Sequence, residues 1–387
     1  MANLMATSNG KATVMGGIPA TNSALYHAIR FNVGDPVALL HVNGSSTLIL
    51  RDIEMHRAEQ HARADQVACP ADFEPESGLS GDRETATAQS AAEFLHRNGI
   101  QSVTADRTLP LIYAELIRQR GIEVICDQDM GVSQRRTKDE TEVQWLREAQ
   151  SVTEDAIRLA CEMIGRATAA ADGILQVDGA ELTSERVRSE IDIFLMKQGY
   201  ASVPSIVACG PDGADCHNLG TGPLRTGQSV IVDIFPCNRA TGYNGDCTRT
   251  VVHGEISDEL QKMHAAVVDA KQAGQQATKA GVTGEDVHQA VIDRIVANGY
   301  KTGIPSDSDP DEYCAMVHGT GHGIGLDVHE PPLLDFKGPQ LVVGDALTIE
   351  PGLYCKAIGG IRIEDMVIVT ENGIENLNKL PEGLQWA

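Results

Sequence analysis

Apolar and polar positions follow two successive rhythms along this chain. Within residues 36–52, PVALLHV and TLILRD are β-type runs joined by Asn43-Gly44-Ser45-Ser46, which predicts a hairpin. Residues 82–98 have helical composition and stop at Asn98-Gly99. A short strand (IQSVTAD), a helix (LPLIYAELIRQR) and another strand (IEVICD) follow. Helix and strand take turns, so residues 1–132 are expected to form a smaller α/β domain, with no Gly-rich phosphate loop in it. A boundary falls near residues 128–137. There Thr137-Lys138-Asp139-Glu140 has the form of a capping box, with Thr137 as N-cap and Glu140 at N3. Val143, Leu146, Ala149, Val152, Ala156, Ala160 and Met163 then recur at three- and four-residue steps, the stripe of a long amphipathic helix. This helix opens a second domain, residues 137–387.

The second domain repeats itself. Residues 182–200 (LTSERVRSEIDIFLMKQGY) and 282–300 (VTGEDVHQAVIDRIVANGY) align without gaps at an offset of 100, with Thr183/Thr283, Glu185/Glu285, Val187/Val287, Gly199/Gly299 and Tyr200/Tyr300 identical. Both read as capped amphipathic helices closed by Gly. Five matches between two helices carry little alone, but the sequel matches too. Cys216 and His217 follow the first helix; Cys314 and His318 follow the second. Gly227 then opens a β-type run with Asp233 six residues on, as Gly344 does with Glu350. A second acid closes each unit, Asp246 after 13 residues and Glu364 after 14. Two such halves facing each other would bring four carboxylates into one cleft.

Composition narrows what that cleft serves. Hydrophobic residues make up 42% and charged residues 22% of the 387, the balance of a globular protein long enough for two domains. The formal net charge of -23 offers phosphates no basic field, so neither nucleic acid nor an anionic membrane surface is an expected partner. Nine cysteines without a CxxC pair or regular spacing read as reduced thiols of a cytoplasmic protein. The stretch MANLMATSNGKATVMGGIPA lacks a basic region followed by an apolar run, and no segment approaches the ~18 apolar residues of a membrane span, so neither a secretory leader nor a transmembrane helix is expected.

Asp233 and Glu350 sit in apolar runs, SVIVDIF and DALTIEP, where a solvated acid is out of place. A turn at Ala240-Thr241-Gly242 would bring Asp233 and Asp246 to one end of a sheet, and Gly359-Gly360 would do the same for Glu350 and Glu364. Any one of these acids alone reads more readily as a strand end in water or half of a salt bridge. Four at matched spacings do not, because each buried carboxylate costs several kcal/mol unless something positive meets it. His322 adds an imidazole in GTGHGIG, flanked by glycines that allow close approach. That run is no dinucleotide fingerprint, since its third glycine is missing. His318 and His329 flank it in the same Gly-rich loop. Four carboxylates with one imidazole suit two Mn-, Co-, Fe- or Zn-like ions better than a closed structural zinc. Two such ions supply an activated water and polarise a carbonyl, so the chain reads as a two-metal hydrolase. Arg362 lies two residues before Glu364, on the same strand face. It is placed to orient a carboxylate, to face substrate or to form a structural salt bridge.

With IVDIF, NGDCTRT, GTGHGIG, TIEPG and IRIED in this order, the chain resembles the pita-bread metallopeptidases: methionine aminopeptidases, Xaa-Pro aminopeptidases, Xaa-Pro dipeptidases (prolidases) and creatinase. The likeness covers residues 137–375, with a turn after Asp233 that looks longer than in typical members. The resemblance implies an α+β fold, a C-terminal pita-bread domain with a pseudo-two-fold repeat behind a creatinase-type α/β domain. It implies that Asp233 binds one metal, that Asp246 and Glu364 bridge two, and that His322 and Glu350 hold the other, Glu350 also shuttling a proton. His329 would stabilise the tetrahedral intermediate, and His217 and His318 would face substrate. The extra N-terminal domain, VHGTGHGIGLDVHE and GIRIED look like the Xaa-Pro branch, in which that domain commonly helps form a homodimer. The expected activity is hydrolysis of Xaa-Pro bonds at the N-terminus of short proline-containing peptides, with manganese as the first metal expected. The alternatives are a creatinase-like or other small-amide hydrolase and a non-catalytic binding protein.

Overall fold

The computed structural model describes residues 12–201 and 203–386. Residues 1–11, part of the N-terminal stretch in which no leader is expected, lie outside the described residues. The chain divides into two compact units, Met1–Arg135 and Arg136–Ala387.

The first unit is built on a six-stranded mixed sheet. Its strands run in the spatial order Gln66–Ala68, Ser45–Ile49, Val37–Val42, Ala12–Gly17, Ser102–Asp106, Glu123–Asp127. The expected hairpin is present, with Asn43 and Gly44 at φ 53° and 83° making the tight turn. Both faces are covered. Ala38, Leu40 and Val42 point into a core with Ala88, Leu95, Tyr113 and Ile117 of the helices Arg83–Arg97 and Leu111–Gln119. Val37 and Leu39 point the other way, among Leu25, Ile29 and Ala58. This two-sided burial explains why PVALLHV shows an apolar run instead of alternation.

The second unit opens with the helix Glu140–Gly165. Its N-cap is Asp139, not Thr137. Asp139 accepts from the Glu142 N–H, and the Glu142 carboxylate accepts from the Asp139 N–H. The shift has a cause. Lys138 is drawn out of the helix by its N–H to the Gly344 carbonyl (3.1 Å) and by its ammonium to Glu330 (2.6 Å). Val143, Leu146, Ala149, Ala156 and Ala160 are buried, as the stripe requires.

The internal repeat is a structural repeat. Ser184–Lys197 and Gly284–Ala297 are both 14-residue helices capped by Thr183 and Thr283. Each buries the same three positions, Val187, Ile191 and Leu195 against Val287, Val291 and Ile295. Gly199 and Gly299 close them at φ 83° and 85°, and Thr183 and Thr283 form equivalent isolated bridges to Pro223 and Gln340. Each packs on a longer helix, Glu140–Gly165 in one half and Asp258–Ala277 in the other. The helices cover antiparallel strands. One set contains Ile206–Cys209, Ser229–Ile234 and Cys247–Val252; the other is centred on Gly321–Gly323, Ala346–Ile349 and Asp365–Val369. The tail NLNKLPEGLQWA reads as a polar exit with a final Trp packing back; Trp386 is indeed buried, and so are Leu377, Leu380 and Leu384. Among the described residues no helix is long and apolar enough to cross a membrane.

The Asp139 box joins the long helix to the start of the unit, so Asp139→Ala should lower unfolding free energy by about 1 kcal/mol. Urea unfolding measures it through a lower midpoint at unchanged slope; an unchanged midpoint would mean the cap is idle.

Candidate metal centre

Two ladders set the acids. Ser229–Ile234 pairs antiparallel with Cys247–Val252 in the register Asp233↔Thr248 and Ile234↔Cys247, so Asp246 stands one residue ahead of its strand. Ala346–Ile349 pairs with Asp365–Val369 in the register Ile349↔Asp365. Glu350 and Glu364 each lie one residue outside that ladder. Between them runs the hairpin Gly352–Cys355/Gly359–Arg362. Gly360 is needed there, because a Cβ would sit 1.9 Å from the Gly213 carbonyl oxygen. The two halves meet where the Glu364 N–H donates to the Thr248 carbonyl (3.1 Å).

His322 is not in a loop. It lies on the three-residue strand Gly321–Gly323, beside Ala346–Ile349. Its flanking glycines serve strand packing: a Cβ on Gly321 would be 2.0 Å from the Thr348 oxygen, and one on Gly323 would be 2.5 Å from the Glu330 oxygen. The ring is oriented by Nδ1, which donates to the Gly323 carbonyl (3.0 Å). A carbonyl only accepts, so Nδ1 carries the proton and Nε2 presents a lone pair. Nε2 lies 3.4 Å from Glu350 Oε1 and 3.7 Å from Asp246 Oδ2. Asp246, His322 and Glu364 are all buried and offer ligand atoms that all lie within 4.8 Å of one another. Glu364 Oε2 accepts from the Thr248 hydroxyl (2.8 Å).

Arg362 orients a carboxylate. Its Nη2 donates to Asp233 Oδ2 (2.7 Å), leaving Asp233 Oδ1 buried without a hydrogen-bond partner. Its Nη1 donates to the Tyr354 hydroxyl (2.9 Å) and to the Cys216 carbonyl (3.2 Å), and its Nε to the Thr248 hydroxyl (3.3 Å). One guanidinium thus ties both halves together. Tyr354 passes the link on to His318, whose Nε2 is 2.7 Å away. His318 Nδ1 donates to the Gly319 carbonyl (2.7 Å), so Nε2 accepts from the Tyr354 hydroxyl and both ring nitrogens are committed. The exposed His329 ring meets the His322 ring edge to face, with centroids 4.2 Å apart. The His217 ring is exposed, and its loop is fixed by Asp215 accepting from the His217 N–H (3.0 Å).

Burial drives the electrostatics. It pushes the Asp246 carboxyl well above the usual range, and the neighbouring Glu364, Asp233 and Glu350 add to the shift. Glu364 moves the same way, by burial and then Glu350 and Asp233. Glu350 is pushed up to about 8 by burial, against the pull of Arg362. His322 is pushed down to about 3 by burial and then His329, which keeps its imidazole neutral. His318 falls to about 4, by burial and then Arg362. Buried acids that resist ionisation, an unpartnered Asp233 oxygen and a neutral imidazole lone pair are the donor set a divalent cation satisfies. Asp233, Asp246, His322, Glu350 and Glu364 are the residues that fit one.

Three contributors carry weaker sequence signals. Thr248 lies two residues after Asp246 on the same strand face. Tyr354 follows TIEPGL in a run with no chemistry of its own. Gln150 interrupts the apolar stripe of the long helix, yet it is wholly buried and bonds both backbone groups of Asp246. A polar residue on an apolar face was its one signal.

The family model described as Metallopeptidase family M24 matches residues 144–371, more than half of the chain. The chain belongs to that family. It is similar to Uncharacterized peptidase YqhT of Bacillus subtilis, 32% identical over 254 residues that cover 65% of this chain and 64% of that protein. It is also similar to Probable dipeptidase PepE of Mycobacterium tuberculosis, 37% identical over 254 residues, 65% of this chain and 60% of that protein. The chain thus matches less than two thirds of the length of these relatives. Among solved structures, the Xaa-Pro dipeptidase from Bacillus anthracis superposes with a TM-score of 0.78 at 26% identity, covering 97% of this chain and 94% of that one. The X-Pro aminopeptidase from Thermotoga maritima gives 0.77 at 24% identity, covering 97% of both chains, a likeness of fold. The α+β fold of this M24 chain, with its pita-bread unit, is the fold expected from sequence.

Arg362 is the cation already among the acids, so Arg362→Met should destabilise the metal-free protein by about 3–5 kcal/mol, the usual cost of breaking a buried ion pair from one side. Denaturant unfolding in the presence of a chelator reads this; a loss under ~1 kcal/mol, the size expected of an exposed pair, would mean that Arg362 is dispensable to the acids.

Proposed function

We propose that this chain is a metallo-exopeptidase that hydrolyses Xaa-Pro bonds at the N-terminus of short peptides, as an Xaa-Pro dipeptidase or Xaa-Pro aminopeptidase. The observation that carries the reading is the buried group of Asp246, His322 and Glu364 within 4.8 Å, with Asp233 and Glu350 at its edge. Membership of a metallopeptidase family and relatives named dipeptidase and Xaa-Pro dipeptidase support it over a creatinase-like amide hydrolase or a binding protein. Two divalent ions, manganese first among them, are held in this reading by Asp233, Asp246, Glu364, His322 and Glu350. When bound, they supply Lewis-acid polarisation of the scissile carbonyl and an acidified water.

The chain's own residues do the rest. Glu350, whose Oε1 lies 3.4 Å from His322 Nε2 at the edge of the buried acids, takes a proton from the attacking water and delivers it to the departing proline nitrogen. His329, exposed beside His322, donates to the carbonyl oxygen as negative charge develops on it. His217, exposed on its loop, faces substrate. His318 positions Tyr354 and Arg362, its ring nitrogens being already engaged. Arg362 holds Asp233 in place. The first unit serves as an accessory domain in a cytoplasmic homodimer.

The test is hydrolysis of a Xaa-Pro dipeptide, a Xaa-Pro-Yaa tripeptide and a Xaa-Ala control by chelated protein refilled with Mn, Co or Zn. Cleavage of the dipeptide alone identifies a dipeptidase, and cleavage of the tripeptide an aminopeptidase. Cleavage of the Xaa-Ala control alone, or of nothing, overturns the Xaa-Pro assignment. In the active form, His329→Ala should lower kcat by about 10²–10³-fold, the size of a lost oxyanion donor, with ion content unchanged. Steady-state kinetics beside metal analysis checks this; a fall in KM-related binding alone would contradict the role.

A further inference from the structure

Gln150 and Asn378 lie behind the acids and carry no charge to offer a cation. Gln150 projects from the helix Glu140–Gly165 and is 0% exposed. Its Oε1 accepts from the Asp246 N–H (2.9 Å), and its Nε2 donates to the Asp246 carbonyl (2.7 Å). A side-chain amide thus grips both backbone groups of one residue, as a neighbouring strand would, and fixes the backbone from which the Asp246 carboxylate projects. The second Nε2 hydrogen goes to Asn378 Oδ1 (2.9 Å). That oxygen also accepts from the Met366 N–H (2.8 Å), two residues past Glu364. Asn378 Nδ2 closes the loop on Cys247 Sγ (3.3 Å), next to Asp246.

Asp246 belongs to the first half of the repeat and Glu364 to the second. Each backbone is therefore referred to the same pair of amides, one on the opening helix and one on the C-terminal segment. That segment is itself anchored: the Glu154 carboxylate accepts from the N–H groups of Lys379 (2.6 Å) and Leu380 (2.8 Å). Arg249 Nε donates to the Pro381 carbonyl (3.0 Å), while Arg249 Nη1 donates to the Glu364 carbonyl. Close packing leaves the clamp little slack. A Cβ on Gly245 would lie 2.2 Å from the Thr153 hydroxyl.

We propose that Gln150 and Asn378 are positioning residues that set the separation of the Asp246 and Glu364 carboxylates, and so the ion affinity of the centre. The proposal rests on the metal reading above. Both hydrogens and the oxygen of the Gln150 amide are engaged, as are the oxygen and one hydrogen of the Asn378 amide. Supporting groups of this kind are worth about 10- to 100-fold in metal affinity.

The experiment compares wild type with Gln150→Met, Asn378→Ala and Ile157→Ala, the last a buried residue of the same helix away from the clamp. Calorimetry of chelated protein with Mn(II), the visible spectrum with Co(II) and thermal unfolding without metal are measured on each. Gln150→Met should weaken Mn(II) binding by about 10- to 100-fold and change the Co(II) spectrum. Asn378→Ala should shift both in the same direction, and it decides alone if Gln150→Met does not fold. Ile157→Ala should lower the unfolding temperature and leave affinity and spectrum as in wild type. The proposal is overturned if the clamp variants bind like wild type, or if Ile157→Ala weakens binding as much as they do. These readouts need no turnover, so a wild type that binds ions but cleaves no Xaa-Pro peptide sinks the substrate assignment and leaves this comparison intact.

Discussion

Carboxylates crowd one another at the centre of the second unit, and the surrounding structure is arranged to keep them there. Asp246 and Glu364 are nearly fully buried, and burial and then the neighbouring acids raise the cost of ionising each of them. Left alone, such groups would take up protons or swing out to water. Swinging out is restrained, because each is fixed by its backbone at the margin of an antiparallel ladder. Arg362 meets Asp233 from one side and Thr248 meets Glu364 from another. Repulsion of this kind is tolerated where a cation discharges it, and binding then returns to stability what the assembly of the site costs.

The repeat explains how one chain can hold four acids so close. Each half contributes a helix pair and an antiparallel strand pair, and each strand pair delivers two acids at its end. The halves are not joined by the sheet alone. Arg362 bonds to Asp233 and Thr248 of the first half while belonging to the second. Thr250 and Arg362 exchange hydrogen bonds across the same seam, at 3.0 and 3.1 Å. Behind it, Lys271 and Arg249 flank the Asp365 carboxylate, which they hold down to about 2 despite its burial. The site's polarity is therefore layered: the acids together, paired charges behind them.

Much of this is legible in the chain because it depends on local rules. Thr183 and Thr283 announce helix starts through short hydrogen bonds to their own helices, and Asn43-Gly44 announces a turn through its backbone preference. An acid inside SVIVDIF is conspicuous wherever the strand ends up. What stays hidden depends on partners far away. The cap moved from Thr137 to Asp139 because Lys138 bonds to Gly344 and Glu330, roughly two hundred residues on. GTGHGIG reads as a loop because glycine usually marks one, whereas here Thr348 and Glu330 press on a strand that only glycine fits. Ala12–Gly17 pairs on both sides inside its sheet, yet it is short, ends in two glycines and shows no alternation. The tail conceals its apolar anchors among polar residues, each too isolated to form a periodic signal.

In the proposed reading these acids hold two divalent ions and are not a buried salt-bridge network. Anomalous X-ray diffraction from Mn-soaked crystals of the chelated protein addresses it most directly. Two anomalous peaks are expected about 3.5–4 Å apart, the spacing of two-metal sites. Asp246 and Glu364 should lie between them, with Asp233 on one and His322 and Glu350 on the other. A single peak, or none among these five side chains, would contradict it.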